Sequence, residues 1–204
     1  MEPQPTDDPL RMYIVVRRGA FTTLPEAGQA VGAAAVDCVR RHADDQAMQE
    51  WRPRPGKVVL RARGGQWHEL TGSWDGDVVA LAPRRRSERG PLLERMQAMT
   101  SSLTPPPEEA ASGLTYLLNP SIEMSSGKTL AQIAHAAVMA ADSGEHEEWV
   151  EAGCPAAVVR PNAARFGEQC RSPNLVAKVE DAGLTEVPPG TITVLMTRSR
   201  GSRA

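Results

Sequence analysis

Apolar and polar positions along the chain form short β-branched runs separated by longer alanine-rich stretches with a helical period. The first run, RMYIVVR at 11–17, predicts a buried strand. An alanine-rich helical pattern over 24–42 follows, with Thr23 as the expected N-cap and Pro25 in the first turn. A strand followed by an amphipathic helix predicts an α/β unit in which the helix packs on a sheet.

The alternation continues to the end of the chain. It predicts, in order, a helix at 44–51, a strand at 57–62, a weak helix at 67–70, a strand at 77–82, a helix at 91–99, a strand at 114–118, helices at 126–141 and 145–152, a strand at 156–160, a short helix at 163–170, and strands at 175–180 and 192–196. The segment 100–112 contains three consecutive prolines and is predicted to be a linker.

The parts before and after this linker repeat the same order of elements. Four pairs of residues match at similar separations: Tyr13 with Tyr116, Gln29 with Gln132, Trp51 with Trp149, and Trp67 with Phe166. A repeated order with steady spacing indicates a duplication. We therefore expect a disordered leader at 1–10, a first half at 11–99, a second half at 113–197 and a basic tail at 198–204.

Composition excludes several classes of protein. Hydrophobic residues make up 41% and charged residues 24% of the chain, as in ordinary globular proteins. The net charge of −2 argues against a protein that coats nucleic acid through bulk charge. The local arginine clusters are either basic patches or, as we favour, solvated faces. No apolar run approaches the roughly 20 residues of a membrane span. The polar, proline-rich start is not a signal peptide, and we expect a cytoplasmic protein without membrane contact.

Cysteine and histidine give no sign of a metal site. Cys38, Cys154 and Cys170 lack metal-ligand spacing, and the chain has four histidines in all. We expect reduced thiols, with Cys38 as a small core residue on the first long helix. No metal is predicted.

The candidate chemistry lies in the second half, around the start of the helix at 126–141. Lys128 lies near the helix N-terminus, where backbone N–H groups favour anions, and Gln132 and His135 share its helix face. Asp181 directly follows a predicted strand, and α/β folds bring strand ends and helix starts together. Lys128 can then stabilise negative charge, Asp181 can orient or activate a water, and Thr185 can donate a hydrogen bond.

Each of these residues also fits a structural role. A lysine at a helix start can be a solvated charge, and Asp181, Thr185 and Thr191 can simply cap the turn at 181–191. Gly183 and Gly190 supply the backbone freedom that such a turn requires. His135 on an alanine-rich helix can be a packed, hydrogen-bonded residue. Because the first half has Pro25 where the second has Lys128, any activity is predicted to belong to the second half alone.

Two motifs in this half resemble the type 2 peptidyl-tRNA hydrolase family. That family has a Gly-Lys that opens a helix bearing A-Q-x-A-H-A, and later the signature D-A-G-x-T-x-V-x-P-G-T-x-T-V. This chain reads GK at 127–128, AQIAHA at 131–136 and DAGLTEVPPGTITV at 181–194. The resemblance spans about 113–197, and the first half is similar to a degenerate copy.

The resemblance implies a fold, a reaction and a set of site residues. The fold is an α/β class with a small mixed β-sheet of about four strands flanked by helices, here duplicated as two similar halves. The reaction is hydrolysis of the carboxylic ester between a peptide and the 3′-ribose of tRNA, without a cofactor, with peptidyl-tRNA as partner. Catalytic roles fall to Lys128, Asp181 and Thr185. The supporting or substrate-binding positions are Gln132, His135, Gly127, Gly183 and Thr191.

Family members commonly dimerise, so the duplication predicts either an intramolecular pseudo-dimer or a homodimer. Two departures from the family stand out. The helix predicted at 163–170 is shorter than usual, and Glu180 places a second carboxylate directly before Asp181. Glu180 either points to the opposite face of its strand or raises the pKa of Asp181 by like-charge proximity.

Two other functions fit parts of the pattern. SSGKT after a strand is similar to the end of a phosphate-binding loop, although Ile122 occupies the position of that loop's first glycine. A nucleotide-binding domain is therefore one alternative. The other is a non-catalytic RNA- or protein-binding module on the same fold, which the short helix at 163–170 favours and the intact Lys128, Asp181 and Thr185 oppose.

Overall fold

The structure, a computed structural model, describes residues 8–110, 113–183 and 186–198. The elements of the first half are β1 (Arg11–Arg17), α1 (Leu24–Arg41), α2 (Gln46–Trp51), β2 (Gly56–Ala62), α3 (Gly64–Thr71), β3 (Val78–Arg84), α4 (Gly90–Glu94) and β4 (Gln97–Ala98). Those of the second half are β5 (Leu114–Leu118), α5 (Ser126–Asp142), α6 (Glu147–Glu151), β6 (Ala157–Val159), α7 (Ala163–Gln169), β7 (Leu175–Glu180) and β8 (Ile192–Arg198).

Each half forms a four-stranded mixed sheet. The strand order is β3-β1-β2-β4 in the first half and β6-β5-β8-β7 in the second. β1 pairs in parallel with β2, and β5 pairs in parallel with β6, while the other neighbours are antiparallel. The predicted class, a duplicated α/β arrangement of small mixed sheets with flanking helices, is confirmed.

The two long helices lie between the two sheets and are shared by both. α1 packs on β1 and β3 of its own sheet and on β6 of the other, whereas α5 packs on β7, β8 and β2. α1 and α5 also pack against each other, and one continuous apolar core contains residues from both halves. Gly28 makes this close approach possible, since an added Cβ would lie 2.9 Å from Ile133 Cδ1 and 3.0 Å from Val158 Cγ2.

The outer face of each sheet has a smaller core of its own. Trp67 on α3 and Leu93 on α4 cover the first sheet. Phe166 on α7 covers the second. Burial on both faces of each sheet explains why β1 and β5 read as continuous apolar runs rather than alternating ones.

The matched residue pairs test the duplication directly. Trp51 Nε1 donates to the Gly56 carbonyl at 2.8 Å, and Trp149 Nε1 donates to the Pro155 carbonyl at 3.0 Å, in the same loop of each half. Trp67 and Phe166 likewise occupy equivalent outer cores. These two pairs are confirmed as structural counterparts.

The other two pairs are not structural counterparts. Tyr13 faces the outer core of its sheet, whereas Tyr116 faces the inner core between the sheets. Gln29 is exposed on α1, whereas Gln132 is buried on α5. The two tyrosines and the two glutamines are therefore identical residues at the same sequence separation that lie in different environments.

The helix predicted at 91–99 is wrong beyond Glu94. α4 ends at that residue, and the chain then turns into β4, whose Ala98 pairs with Leu60 of β2. Met96 and Met99 are buried on either side of this short strand. Helical spacing of the apolar residues is a local signal, and pairing with the free edge of β2 overrides it.

The segment predicted as a linker at 100–112 is tied to the first half where the structure describes it. Thr104 donates its N–H to Thr22 at 2.8 Å and accepts from Leu24 N at 2.9 Å, at the start of α1. At the predicted leader, Asp8 accepts hydrogen bonds from Arg86 N and Ser87 Oγ. The domain boundaries remain predictions.

Candidate active site

The structure brings Lys128, Gln132 and Asp181 together at the junction of α5 and the end of β7. Lys128 Nζ donates to Asp181 Oδ2, and Gln132 Nε2 donates to the same oxygen at 2.9 Å. Both donors come from one face of α5, a single turn apart, as their spacing predicts. The three residues thus form one hydrogen-bonded cluster.

The backbone around Asp181 is folded tightly enough to fix its carboxylate. Its N–H donates to the Thr191 carbonyl at 2.9 Å, and its carbonyl accepts from Gly190 N at 2.8 Å. Gly183 N donates to Asp181 Oδ1 at 2.8 Å. Gly183 has a φ of +75°, and an added Cβ would lie 2.5 Å from Pro189, so the turn requires glycine there.

Thr193 on β8 determines which way the Gln132 amide faces. Its buried hydroxyl donates to Gln132 Oε1 at 2.7 Å. With its oxygen occupied by Thr193, the amide can only present its NH₂ group to Asp181. Sequence reasoning missed Thr193, although it occupies a defined position of the signature at 181–194 and lies in the buried run of its strand.

Glu186, which was also not predicted, joins the turn after Asp181 to Ser125 at the start of α5. The Ser125 N–H and hydroxyl donate to the Glu186 carboxylate at 2.7 and 2.6 Å. Ser125 is the N-cap of α5, and its hydroxyl accepts from Lys128 N at 3.2 Å. The turn that carries Asp181 is therefore latched to the start of the helix that carries Lys128.

The Lys128–Asp181 pair is largely removed from water. Side-chain exposure is 13% for Lys128 and 6% for Asp181. Withdrawing two charges from water is costly, and such pairs often stabilise a fold no better than apolar residues would. A desolvated ion pair directly after a strand end is an arrangement that can serve chemistry in an α/β fold.

The N–H groups at the start of α5 are engaged by protein atoms. Gly127 N donates to the Met99 carbonyl at 2.8 Å, and Lys128 N to Ser125. Gly127 is required at this position, because an added Cβ would lie 2.5 Å from the Met99 oxygen. The Lys128 ammonium, rather than these two backbone groups, is the donor that can face a substrate oxygen.

His135 lies apart from this cluster. Its Nδ1 is 3.0 Å from Nζ of Lys57, a residue of β2 in the first half. Burial, reinforced by Lys57 and Lys128, holds the His135 pKa well below its usual value. Burial likewise lowers the Lys57 pKa to about 7, despite an opposing effect of Asp142. His135 is thus a contact between the halves and does not bond to Asp181.

Three other sequence expectations have separate outcomes. Thr191 is half-buried, and its hydroxyl donates to the Pro188 carbonyl at 2.7 Å, so it shapes the turn. Thr185 lies outside the described residues. Glu180 points away from Asp181 on the opposite face of β7, where it pairs with Lys178 at 2.9 Å. Of the two expectations for Glu180, the opposite-face one is confirmed.

A cavity in the second half lies apart from the Lys128–Gln132–Asp181 cluster. A cavity of about 340 Å³ lies on the outer face of the second sheet, and its lining contains none of the Lys128–Gln132–Asp181 cluster. Among residues 8–110, 113–183 and 186–198, no group of three metal-ligating side chains occurs, and no helix is long and apolar enough to cross a membrane. The described cysteines are free thiols.

Comparison with known proteins identifies the second half. The family model for Peptidyl-tRNA hydrolase PTH2 matches residues 113–201. A peptidyl-tRNA hydrolase of Staphylothermus marinus is 39% identical over 85 residues, covering 36% of this chain and 70% of the relative. Proteins of the same name from Thermococcus sibiricus and Thermococcus onnurineus are 37% and 38% identical over 87 and 85 residues. Each of these two matches covers 36% of this chain and 72% of the relative. Through its second half, the chain belongs to the PTH2 family of peptidyl-tRNA hydrolases.

Proposed function

We propose that this protein hydrolyses the ester bond between a peptide and the 3′-ribose of tRNA, releasing the tRNA for reuse in translation. The observation that carries the proposal is the desolvated Lys128–Asp181 pair, which lies in the part of the chain that matches the hydrolase family. The reaction belongs in the cytoplasm and needs no cofactor. Its partner is peptidyl-tRNA.

In this proposal the protein positions charges around an attacking water. Lys128 has donor capacity beyond its bond to Asp181 and directs it at the carbonyl oxygen, where negative charge develops as water adds to the carbonyl carbon. Asp181 aims Lys128 and accepts a hydrogen bond from the water. The carbon–oxygen bond to the ribose then breaks, and a proton from the water ends on the ribose 3′-oxygen.

The remaining site residues have positioning roles. Gln132, held by Thr193, keeps the Asp181 carboxylate in place from the buried side. Gly183 and Thr191 maintain the turn, and Gly127 admits the Met99 carbonyl at the helix start. Thr185 is proposed as a third catalytic residue that orients the water or the leaving oxygen, on the strength of its place in the family signature.

We also propose that the first half occupies the place that a second subunit would take in a homodimer of the second half. The shared layer of α1 and α5 and the continuous core support this arrangement. Light scattering coupled to gel filtration is expected to give the mass of one chain. A homodimer formed through α5 contradicts the proposal.

Turnover of an N-blocked aminoacyl-tRNA, followed by release of deacylated tRNA, tests the activity. The intact protein is expected to release tRNA over many turnovers without added metal. Binding of tRNA without turnover would favour the non-catalytic RNA-binding module instead. The nucleotide-binding alternative loses support from the structure, since Lys128 pairs with Asp181.

A further inference from the structure

We propose that a basic pocket on the first half, formed by Arg61, Arg63 and Arg95, binds backbone phosphates of the tRNA whose ester is cleaved in the second half. This inference rests on the proposed function and extends it. It assigns a substrate-binding role to the half that lacks the catalytic pair. The pocket lies between the end of β2 and the segment that enters β4.

The pocket presents arginine donors in a small, preformed concavity. Its volume is about 90 Å³, and its lining consists of Arg61, Arg63, Gln66, Arg95 and Gln97. Gln66 joins its two sides, since its Oε1 accepts from Arg63 N at 2.9 Å and its Nε2 donates to the Arg95 carbonyl at 3.1 Å. The concavity is thus held open by hydrogen bonds rather than by mobile side chains alone.

The three guanidinium groups differ in how many hydrogen bonds and ion pairs they form with the rest of the protein. Arg61 is fixed by Ser101 Oγ at 3.2 Å and Gln97 Oε1 at 3.1 Å. Arg95 forms an exposed pair with Glu69 at 3.1 Å. Arg63 is exposed, and within residues 8–110, 113–183 and 186–198 its side chain has no hydrogen bond or ion pair. Arg63 therefore has its full donor fork available, and such forks match phosphate geometry.

The pocket is close to the proposed catalytic cluster. Gln97 forms part of its lining, and two residues later the Met99 carbonyl accepts the Gly127 N–H at the start of α5. Two residues of extended chain span at most about 7 Å. The pocket therefore lies within reach of a polynucleotide whose 3′ end is at Lys128.

The charge is local, because the chain as a whole carries a net charge of −2. A cluster of arginines on an acidic protein is a directional feature rather than a consequence of overall composition. The corresponding turn of the second half is different. There Asn162 caps α7 by accepting from Arg165 N at 2.9 Å, after Pro161. At this turn the second half thus has Asn162 where the first half has Arg63.

The experiment measures binding of deacylated tRNA and hydrolysis of peptidyl-tRNA by Arg63→Ala, Arg63→Glu and Arg63→Lys. Arg54→Glu is the matched control, because Arg54 is also exposed but precedes β2, at the far end of the strand. Arg63→Ala is expected to weaken tRNA binding about fivefold and to reduce the slope of log K against log salt by roughly 0.7, the value for one phosphate on a single strand. Arg63→Glu weakens it further, and Arg63→Lys largely restores it.

The kinetic arm separates this proposal from the activity itself. For peptidyl-tRNA, Arg63→Glu is expected to raise KM and leave kcat unchanged. For an N-blocked aminoacyl ester of adenosine, which lacks the backbone phosphates, it is expected to behave as the parent protein. Full activity with an unaltered KM and salt slope in Arg63→Glu would overturn the pocket while leaving the activity intact. If the parent protein binds tRNA but shows no turnover, and Arg63→Glu loses that binding, the pocket is supported and the activity is overturned. Binding of an acidic protein, but not of tRNA, through Arg63 would overturn the pocket as a tRNA site and leave the activity to the turnover assay.

Discussion

The two halves differ most at the edges of their sheets. β3 lies antiparallel beside β1 in the first sheet, in the place that β8 takes beside β5 in the second. β7 lies outside β8 and leads into Asp181, but β3 is the edge of the first sheet in the part of the chain that the structure describes. The first sheet instead gains β4 beside β2. The acid of the proposed site thus belongs to an edge strand that only one half has.

This comparison separates the scaffold from the chemistry. Both halves keep the parallel strand pair, the long helix between the sheets and the tryptophan that closes the following loop. They differ in the edge strand, in the residue at the helix start and in the N-terminal contacts of α5. The replacement of Lys128 by Pro25 does not by itself account for the missing site in the first half. The described part of the first sheet also has no strand equivalent to β7, which leads into Asp181.

The largest expected difference concerns the two lysines of the second half. Lys128→Ala is expected to lower kcat by about 10²–10³, because it removes the ammonium that we propose faces the developing charge. Lys178→Ala is expected to leave kcat within about twofold, since Lys178 is exposed on β7 and pairs with Glu180. Steady-state hydrolysis of peptidyl-tRNA measures both. Equal loss in the two variants would contradict the assignment.

The two glutamines matched in sequence give the next comparison. Gln132→Leu leaves the buried Thr193 hydroxyl and the Asp181 carboxylate short of partners, so it is expected to reduce the free energy of unfolding by about 1–3 kcal/mol and to lower kcat. Gln29→Leu on exposed α1 is expected to change stability by less than about 0.5 kcal/mol. Urea denaturation and kinetics report on both. Similar effects would mean that the halves have similar helix environments.

Two helical glycines test the packing between the halves. Gly28→Ala is expected to destabilise the protein by about 1–3 kcal/mol, because its Cβ would approach Ile133 and Val158 across the interface. Gly167→Ala on α7 meets nothing within 4 Å and is expected to stabilise by about 0.5–1 kcal/mol. Thermal unfolding measures these opposite changes in stability. A stabilising Gly28→Ala would show that α1 and α5 do not pack this closely.

The smallest expected effect is a pH dependence from the Lys57–His135 contact. Both groups have lowered pKa values in the folded protein, so the unfolded chain binds protons that the folded chain does not. Stability is therefore expected to fall as pH drops below about 6.5 through His135, and to rise from about pH 7 upward through Lys57. Lys57→Met is expected to flatten the rise in stability between pH 7 and 9. An unchanged slope in Lys57→Met would contradict a desolvated lysine at this interface.

Local patterns predicted most of the elements, because strands and long helices here are strongly apolar and well capped. Arg11–Arg17, Leu114–Leu118 and Leu175–Glu180 have the predicted bounds. β4 escaped prediction because a two-residue strand exists only through its partner β2. Lys128 and Asp181 were predicted together from motifs, whereas Thr193 and Glu186 act through contacts between distant segments. Met99 reaches the site through the packing of one half on the other, which no local pattern encodes.

Single-turnover hydrolysis of peptidyl-tRNA by Asp181→Asn, set beside Glu180→Gln, tests the central claim most directly. The two carboxylates are adjacent in sequence, but Asp181 is buried against Lys128 and Gln132, whereas Glu180 is exposed on the other face of β7. Asp181→Asn is expected to lower the rate of ester cleavage by about 10²–10⁴, and Glu180→Gln to leave it unchanged. Cleavage by Asp181→Asn at the parent rate would contradict a Lys–Asp hydrolytic site in the second half.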